Sequence, residues 1–341
     1  MSYEKEKTIY LPTITPIPAI YPAQSALFSI LPDTSNVMKW KYNNYIQIWC
    51  QTHIKGQLWG DYFNVGMWNN CPFIENRIIP TEMVSAKWDD IIDFTEDCLG
   101  FGYYMMFFID TYFIKGSDYY QHSHFPHEVF VHGLDKSQGI VNIADFYVNS
   151  LYTKLKCDAH DFQQAYESYL KSEKSDYLNG IALIKTSTDY EYEFNIPLIK
   201  SLLEDFIDSG NTNIRFGLPK SYINDHYYGL AAIETFISYC YQLRQEKKGF
   251  TDHRLLAVLK ARAIMMIERI KFMEETGFIK NGASIINGYK RLTNIYDKSL
   301  NLFIKFRLAR NIGIMDRIIE NCKQAITFER EAANSLLLKL L

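Results

Sequence analysis

Four of the eight histidines, His122, His124, His127 and His132, fall within one stretch, YYQHSHFPHEVFVHGLDKSQGIVNIADF. An imidazole titrates near neutral pH, so it is the natural general base or acid of an acyl-transfer site. His127 opens the alternating run HEVFVHGLD, and Asp145 lies towards the end of the next run, GIVNIADFYV. The intervening DKSQG is a turn signal, which predicts a hairpin. A histidine at the start of one strand and an aspartate at the end of the next can meet across a hairpin. The carboxylate would then orient an imidazole acting as base. The same spacing also fits a histidine that merely caps a strand and an aspartate in a turn, and only geometry separates the two.

The elements that must position these residues read as follows. Residues 1–22 carry Pro12, Pro16, Pro18 and Pro22, which predicts an extended, irregular start. AQSALFSIL (23–31) predicts a short buried helix ended by Pro32, and the aromatic-rich MKWKYNNYIQIWC predicts a strand. Residues 84–99 place Trp88, Ile91, Ile92, Phe94 and Leu99 at helical spacing, stopped by Gly100 and Gly102. GYYMMFFIDTYFI (102–114) has the composition of a central strand. Helix followed by three strands predicts an α+β domain over residues 1–165.

From about residue 150 the pattern turns helical. FQQAYESYLKS is a helix, and TSTDYEYEFNIP carries one more strand and a loop. NIPLIKSLLEDFIDSG starts on an Asn cap with Pro close behind and ends on Gly. Long helices are predicted over 229–247, 251–277 and 283–337, the last broken near Gly288 and Gly313, with apolar spacing suited to antiparallel packing. Residues 166–341 are therefore expected to form a mainly helical domain.

Thirty-six basic residues against thirty-nine acidic ones give a formal charge of −3, which argues against a nucleic-acid binder. No run approaches the eighteen apolar residues of a membrane span, and the N-terminus is too polar for a secretory signal. The expectation is a cytoplasmic chain whose six cysteines stay reduced, with no membrane partner. No CxxC or HExxH occurs, so no metal site is expected.

GYYMMFFIDTYFI and HFPHEVFVHGLD, followed by a strand closing in Asp-Phe, resemble the papain-like peptidases of the bacteriocin-processing type. The resemblance is stronger to the N-terminal domain of the butirosin biosynthesis protein H family, which accompanies nonribosomal and polyketide assembly lines. It extends to the papain-like amide synthase of closthioamide assembly. YYGLAAIETF and DHRLLAVLKARAIMMIERIKFM are similar to the helical tail of this group. The resemblance implies a papain-like cysteine-protease-type domain followed by a helical one. It further implies transfer of an acyl group from a carrier-protein thioester to an amine, with formation of an amide.

Carried over, His127 would be the base and Asp145 its orienting partner, with Gln24 a substrate contact; Asp110 and Tyr112, at the end of the aromatic strand, could line the cleft as substrate contacts or merely terminate the strand. Backbone N–H groups at the start of the first helix would hold the oxyanion. The acyl group would ride on the phosphopantetheine of an acyl or peptidyl carrier protein, with no resident cofactor. Such a carrier is acidic, and Arg254, Lys260, Arg262, Arg269, Lys271, Lys305, Arg307 and Arg310 are the cations that could dock it. At the nucleophile position the chain departs from the pattern: in YPAQSALFSIL, Ala23 stands where the family has cysteine. Three readings stand open: a cysteine replaced by alanine, a natural chain without the thiol, or attack by another residue such as Ser25 or Cys50. The functions in play are an amide-forming acyltransferase, a cysteine peptidase of the same fold, and a non-catalytic binding relative.

Overall fold

The computed structural model describes residues 8–52, 57–63, 68, 70–172, 178, 180–187, 190–217, 226–245 and 251–340. Along the chain run β1 (Thr8–Tyr10), α1 (Pro22–Ile30), α2 (Ser35–Asn44), β2 (Ile48–Thr52), β3 (Leu58–Tyr62) and β4 (Ile74–Ile79). Next come α3 (Thr81–Lys87), α4 (Ile91–Gly100), β5 (Tyr104–Asp110), β6 (Pro126–Asp135), β7 (Ile140–Val148) and β8 (Leu151–Asp158). The remainder comprises α5 (Ala159–Leu170), β9 (Ile181–Thr186), α6 (Ile196–Asp208), β10 (Tyr227–Tyr228), α7 (Gly229–Gln245), α8 (Arg254–Glu275), α9 (Ala283–Ala309) and α10 (Ile312–Leu337). The architecture is mixed α+β with antiparallel sheets and a helical C-terminal region. Among the described residues no helix is long and apolar enough to cross a membrane.

Two compact units emerge, and neither is a single run of chain. The first comprises residues 1–33 and 66–190, the second 34–65 and 191–341. This division differs from the expected 1–165 and 166–341, for two physical reasons. β9, far along the chain, inserts between β4 and β5. In addition, the end of α2 and the turn that leads into β2 are held by buried arginines of α8, more than two hundred residues away in sequence.

The first unit is built on an antiparallel sheet in the order β4-β9-β5-β6-β7-β8, with β1 also paired to β6. β5 pairs with the first half of β6 and β1 with its last residues, Gly133 to Asp135. A Cβ at Gly133 would lie 2.6 Å from the Tyr10 ring and 3.1 Å from the Ile9 carbonyl, so β1 can approach only a glycine there. The apolar core lies between this sheet and the helices α4 and α5, with Phe94, Phe107, Val129, Ile143 and Phe162 buried in it. α1 packs against β6 and β7.

Several local expectations need correction. The aromatic stretch expected to be one strand is α2 followed by β2, because Thr34 accepts from Val37 N–H and caps a helix. The helix expected over 84–99 is split into α3 and α4, since Asp90 accepts from Asp93 N–H and restarts the ladder. β8 falls where the pattern was read as helical. The strand expected within TSTDYEYEFNIP ends at Thr186 and is instead IALIKT. At Gly288 the helix does not break: that residue lies inside α9, where a Cβ would touch Ala332 at 3.4 Å.

In the second unit a three-stranded sheet, β10-β2-β3, accompanies helices α2 and α6 to α10. Arg262 is fully buried, donating to the Ile46 carbonyl and to Glu329 Oε2 at 2.6 and 2.7 Å. Arg269, equally buried, donates to the carbonyls of Tyr42 and Tyr45. Both were expected among docking cations, and burial removes them from that role. Arg254, Lys260 and Lys271 are engaged with Asp252, Asp297 and Glu268. Removing one member of a buried ion pair strands the other charge. Arg262→Met is therefore expected to cost about 3–5 kcal/mol in urea unfolding, and adding Glu329→Leu to recover part of it. Equal losses in the single and double variants would show that the ion pair is not the source of the cost.

Candidate functional site

β6 and β7 carry the two residues that the hairpin spacing singled out, and the structure brings them together. His127 is the second residue of β6, paired with Ile109 of β5. Asp145 sits in β7 opposite Thr153 of β8, just before the register shifts. The Nδ1 of His127 shares a short hydrogen bond with Asp145 Oδ2, and Glu128 Oε2 lies 3.6 Å from the same nitrogen. Asp145 is 1% exposed, whereas the imidazole keeps 26% of its surface. With Nδ1 committed to the carboxylate, Nε2 is the nitrogen available for chemistry.

Electrostatics set the proton on this pair. Burial disfavours a charged imidazole, but the charge and hydrogen bond of Asp145, supported by Glu128, outweigh it and lift His127 to about 9. Burial pushes the Asp145 carboxyl up, against the pull of His127. Burial, with Asp145's charge added, likewise raises the hydroxyls of Tyr147 on β7 and Tyr152 on β8. His132, by contrast, is driven down to about 4 by burial and the charge of Lys154, and it stays neutral.

Asp110 holds the segment that leads into His127. Its carboxylate accepts from the backbone N–H groups of Tyr112 and Phe125 at 3.2 and 3.1 Å, and from Ser168 Oγ at 2.8 Å. It also meets His124 Nδ1 at 2.6 Å. Thr111 returns two hydrogen bonds to the Phe125 carbonyl. These contacts outweigh the effect of burial and keep the Asp110 carboxyl below its usual range. Three rings then stack in sequence, Tyr119 on Phe125 at 4.3 Å and Phe125 on His127 at 5.5 Å. Tyr112 stacks on His124 at 4.3 Å. Asp110 and Tyr112, expected as substrate contacts, thus have a positioning role in view: they fasten the approach to His127. Ser168, which lies on α5, carried no sequence signal for this partnership.

α1 begins with Pro22 at its first turn and has no acidic residue there. Its first intrahelical bond runs from Ser25 N–H to the Tyr21 carbonyl, so the N–H groups of Ala23 and Gln24 precede the ladder. Ala23 is buried, and its carbonyl accepts from Trp68 Nε1 at 3.3 Å. Gln24 Oε1 and Ser25 Oγ are buried with no hydrogen-bond partner among the described residues. No hydrogen bond or ring contact links this turn to His127 among the described residues. Cys50 lies on β2 in the other unit, its thiol pushed up to about 12 by burial. All six cysteines are buried and unbridged.

The arrangement can therefore supply an imidazole–carboxylate pair with an open Nε2, and separately a helix start with uncommitted N–H groups. Among the described residues no cluster of His, Cys, Asp or Glu is placed to hold a metal ion. Comparison with known protein families and with curated proteins returns no match for the chain.

The raised His127 makes stability depend on pH. A folded-state pKa above the ordinary value of about 6.5 contributes stability that is complete below 6.5 and lost as pH rises through about 9. The wild-type chain is expected to lose about 3 kcal/mol over that window, and His127→Gln to be flat across it. Urea midpoints at the two ends of the window measure both, and parallel curves would show that the pair does not hold the proton.

Proposed function

We propose that the first unit is a papain-like acyl-transfer module in which His127 and Asp145 assist formation of an amide from a carrier-borne thioester and an amine. The observation that carries the reading is the direct contact of His127 Nδ1 with a buried Asp145, which leaves Nε2 open. That is the base-and-orienter half of a triad.

Ala23 removes the covalent step from this chain as it stands. The amine nitrogen would attack the thioester carbonyl directly, forming the C–N bond as Nε2 takes the amine proton. N–H groups at the start of α1 would hold the oxyanion. Collapse would break the C–S bond and release the phosphopantetheine thiolate, which recovers the proton from His127 as a free thiol. The partners are then an acyl or peptidyl carrier and a small amine, and the site works in the cytoplasm, where thioesters on carriers are made. The second reading, a binding relative without catalysis, is favoured by Ala23 itself: a base with no nucleophile beside it can simply hold an acyl chain.

Two measurements on the full chain separate these readings. The wild-type chain, given an acyl-N-acetylcysteamine thioester and hydroxylamine, is expected to form hydroxamate at a rate that climbs with pH towards about 9 and falls at least about tenfold in His127→Ala. Ala23→Cys, given the thioester alone, is expected to gain a covalent acyl adduct by intact mass, again dependent on His127. A folded protein showing neither result would establish the binding reading.

A further inference from the structure

We infer that the α9–α10 hairpin of the second unit is a docking surface for an acidic amphipathic helix of a partner protein. A groove of ≈ 450 Å³ runs between these helices, lined by Lys298, Lys305 and Arg317 together with Leu302 and the single acid Glu320. The three cations are exposed, and none is in an ion pair among the described residues. Neighbouring cations do find acids, as Lys260 does with Asp297 and Arg244 with Asp316. A local excess of positive charge thus stands on a chain whose net charge is −3.

Outside the groove's lining, the same hairpin also exposes apolar side chains. Ile304 and Leu308 lie one helical turn apart on α9, and Ile312 opens α10. They are 44%, 85% and 51% exposed, and Leu308 is the most exposed of the large hydrophobic residues described. Apolar side chains flanked by unpaired cations match a helix with leucines on one face and carboxylates along its edges. A second copy of this chain fits poorly, because an isologous contact would set Lys298, Lys305 and Arg317 against their own equivalents. The surface belongs to the second unit and stands independently of the chemistry proposed for the first.

The test uses the full chain and a labelled synthetic peptide with leucines at helical spacing on one face and glutamates on the other. Its control is a twin with lysine at every glutamate. Fluorescence anisotropy is expected to show saturable binding of the acidic peptide, weakened by high salt, and none of the twin. Lys298→Glu/Lys305→Glu and, separately, Leu308→Asp are each expected to weaken binding at least about tenfold. These positions are exposed, so circular dichroism should match wild type. The inference is overturned if the acidic peptide does not bind, if the twin binds equally, or if either variant leaves binding unchanged. A wild-type dimer in sedimentation that Leu308→Asp dissociates would assign the face to a second copy and overturn it as well.

Discussion

A carboxylate buried in a β-sheet is the constraint around which the first unit is organised. Asp145 has almost no contact with solvent, and dehydrating an ionised carboxylate costs several kcal/mol unless a partner offsets it. His127 is that partner, and its ring must be held in one orientation for the contact to exist. The stack of Tyr119 and Phe125 supports one side of the ring, and Asp110 fixes the Phe125 backbone. A second buried carboxylate, at the end of β5, thereby helps hold the partner of Asp145 Oδ2, while Asp145 Oδ1 is buried with no hydrogen-bond partner among the described residues. The loop between β5 and β6 is long, yet its two ends are tied at Thr111 and Phe125, so it delivers His127 with little freedom.

The second unit uses cations the same way. Arg262 and Arg269 lie in the interior, where a guanidinium needs acceptors for its donors; Nε and Nη1 of Arg262 have them, while its Nη2 has none among the described residues. Their acceptors are mainly backbone carbonyls at the end of α2 and in the turn before β2. Those carbonyls are where α2 runs out of helix and cannot bond to itself. An N-terminal excursion of the chain is thus fastened into a C-terminal helical unit by satisfying groups that would otherwise be stranded. Among the described residues Arg269 has no carboxylate partner, and burial, with the charge of Arg262 added, pulls it down to about 9.

How much of this was legible in the sequence follows from the range of each interaction. The hairpin carrying His127 and Asp145 was readable because alternation and a turn are local signals, and the DKSQG turn closes on Asp135 as such turns do. The cap of α6 at Asn195 was readable for the same reason. The role of Asp110 was not, because its partners come from a loop and from α5 and share no periodicity. α2 was misread because Trp40, Tyr42 and Tyr45 favour strands in isolation, while their packing inside the second unit decides otherwise. β8 was missed because Thr153, Lys154 and Lys156 give a two-sided polar pattern. The division into units was beyond any local signal, since the contacts that define it cross most of the chain.

Under the acyl-transfer proposal, an alanine at position 23 changes what the buried pair would do chemically. In a thiol-bearing site the imidazolium is matched by a thiolate, and a high histidine pKa serves the resting ion pair. Here Asp145 holds the proton on His127, with Glu128 assisting, so at neutral pH the ring is charged. An imidazolium of this kind is a poor base until a substrate supplies counter-charge or the solution turns alkaline. It is at the same time a good donor to a carbonyl or carboxylate that enters the site. Binding an acyl group and activating an amine are therefore opposite demands on one proton. In the acyl-transfer proposed for this unit, the balance between them would be set by whether an incoming amine can displace that proton from Nε2, along an approach to His127 that Asp110, Phe125 and Tyr119 hold in place.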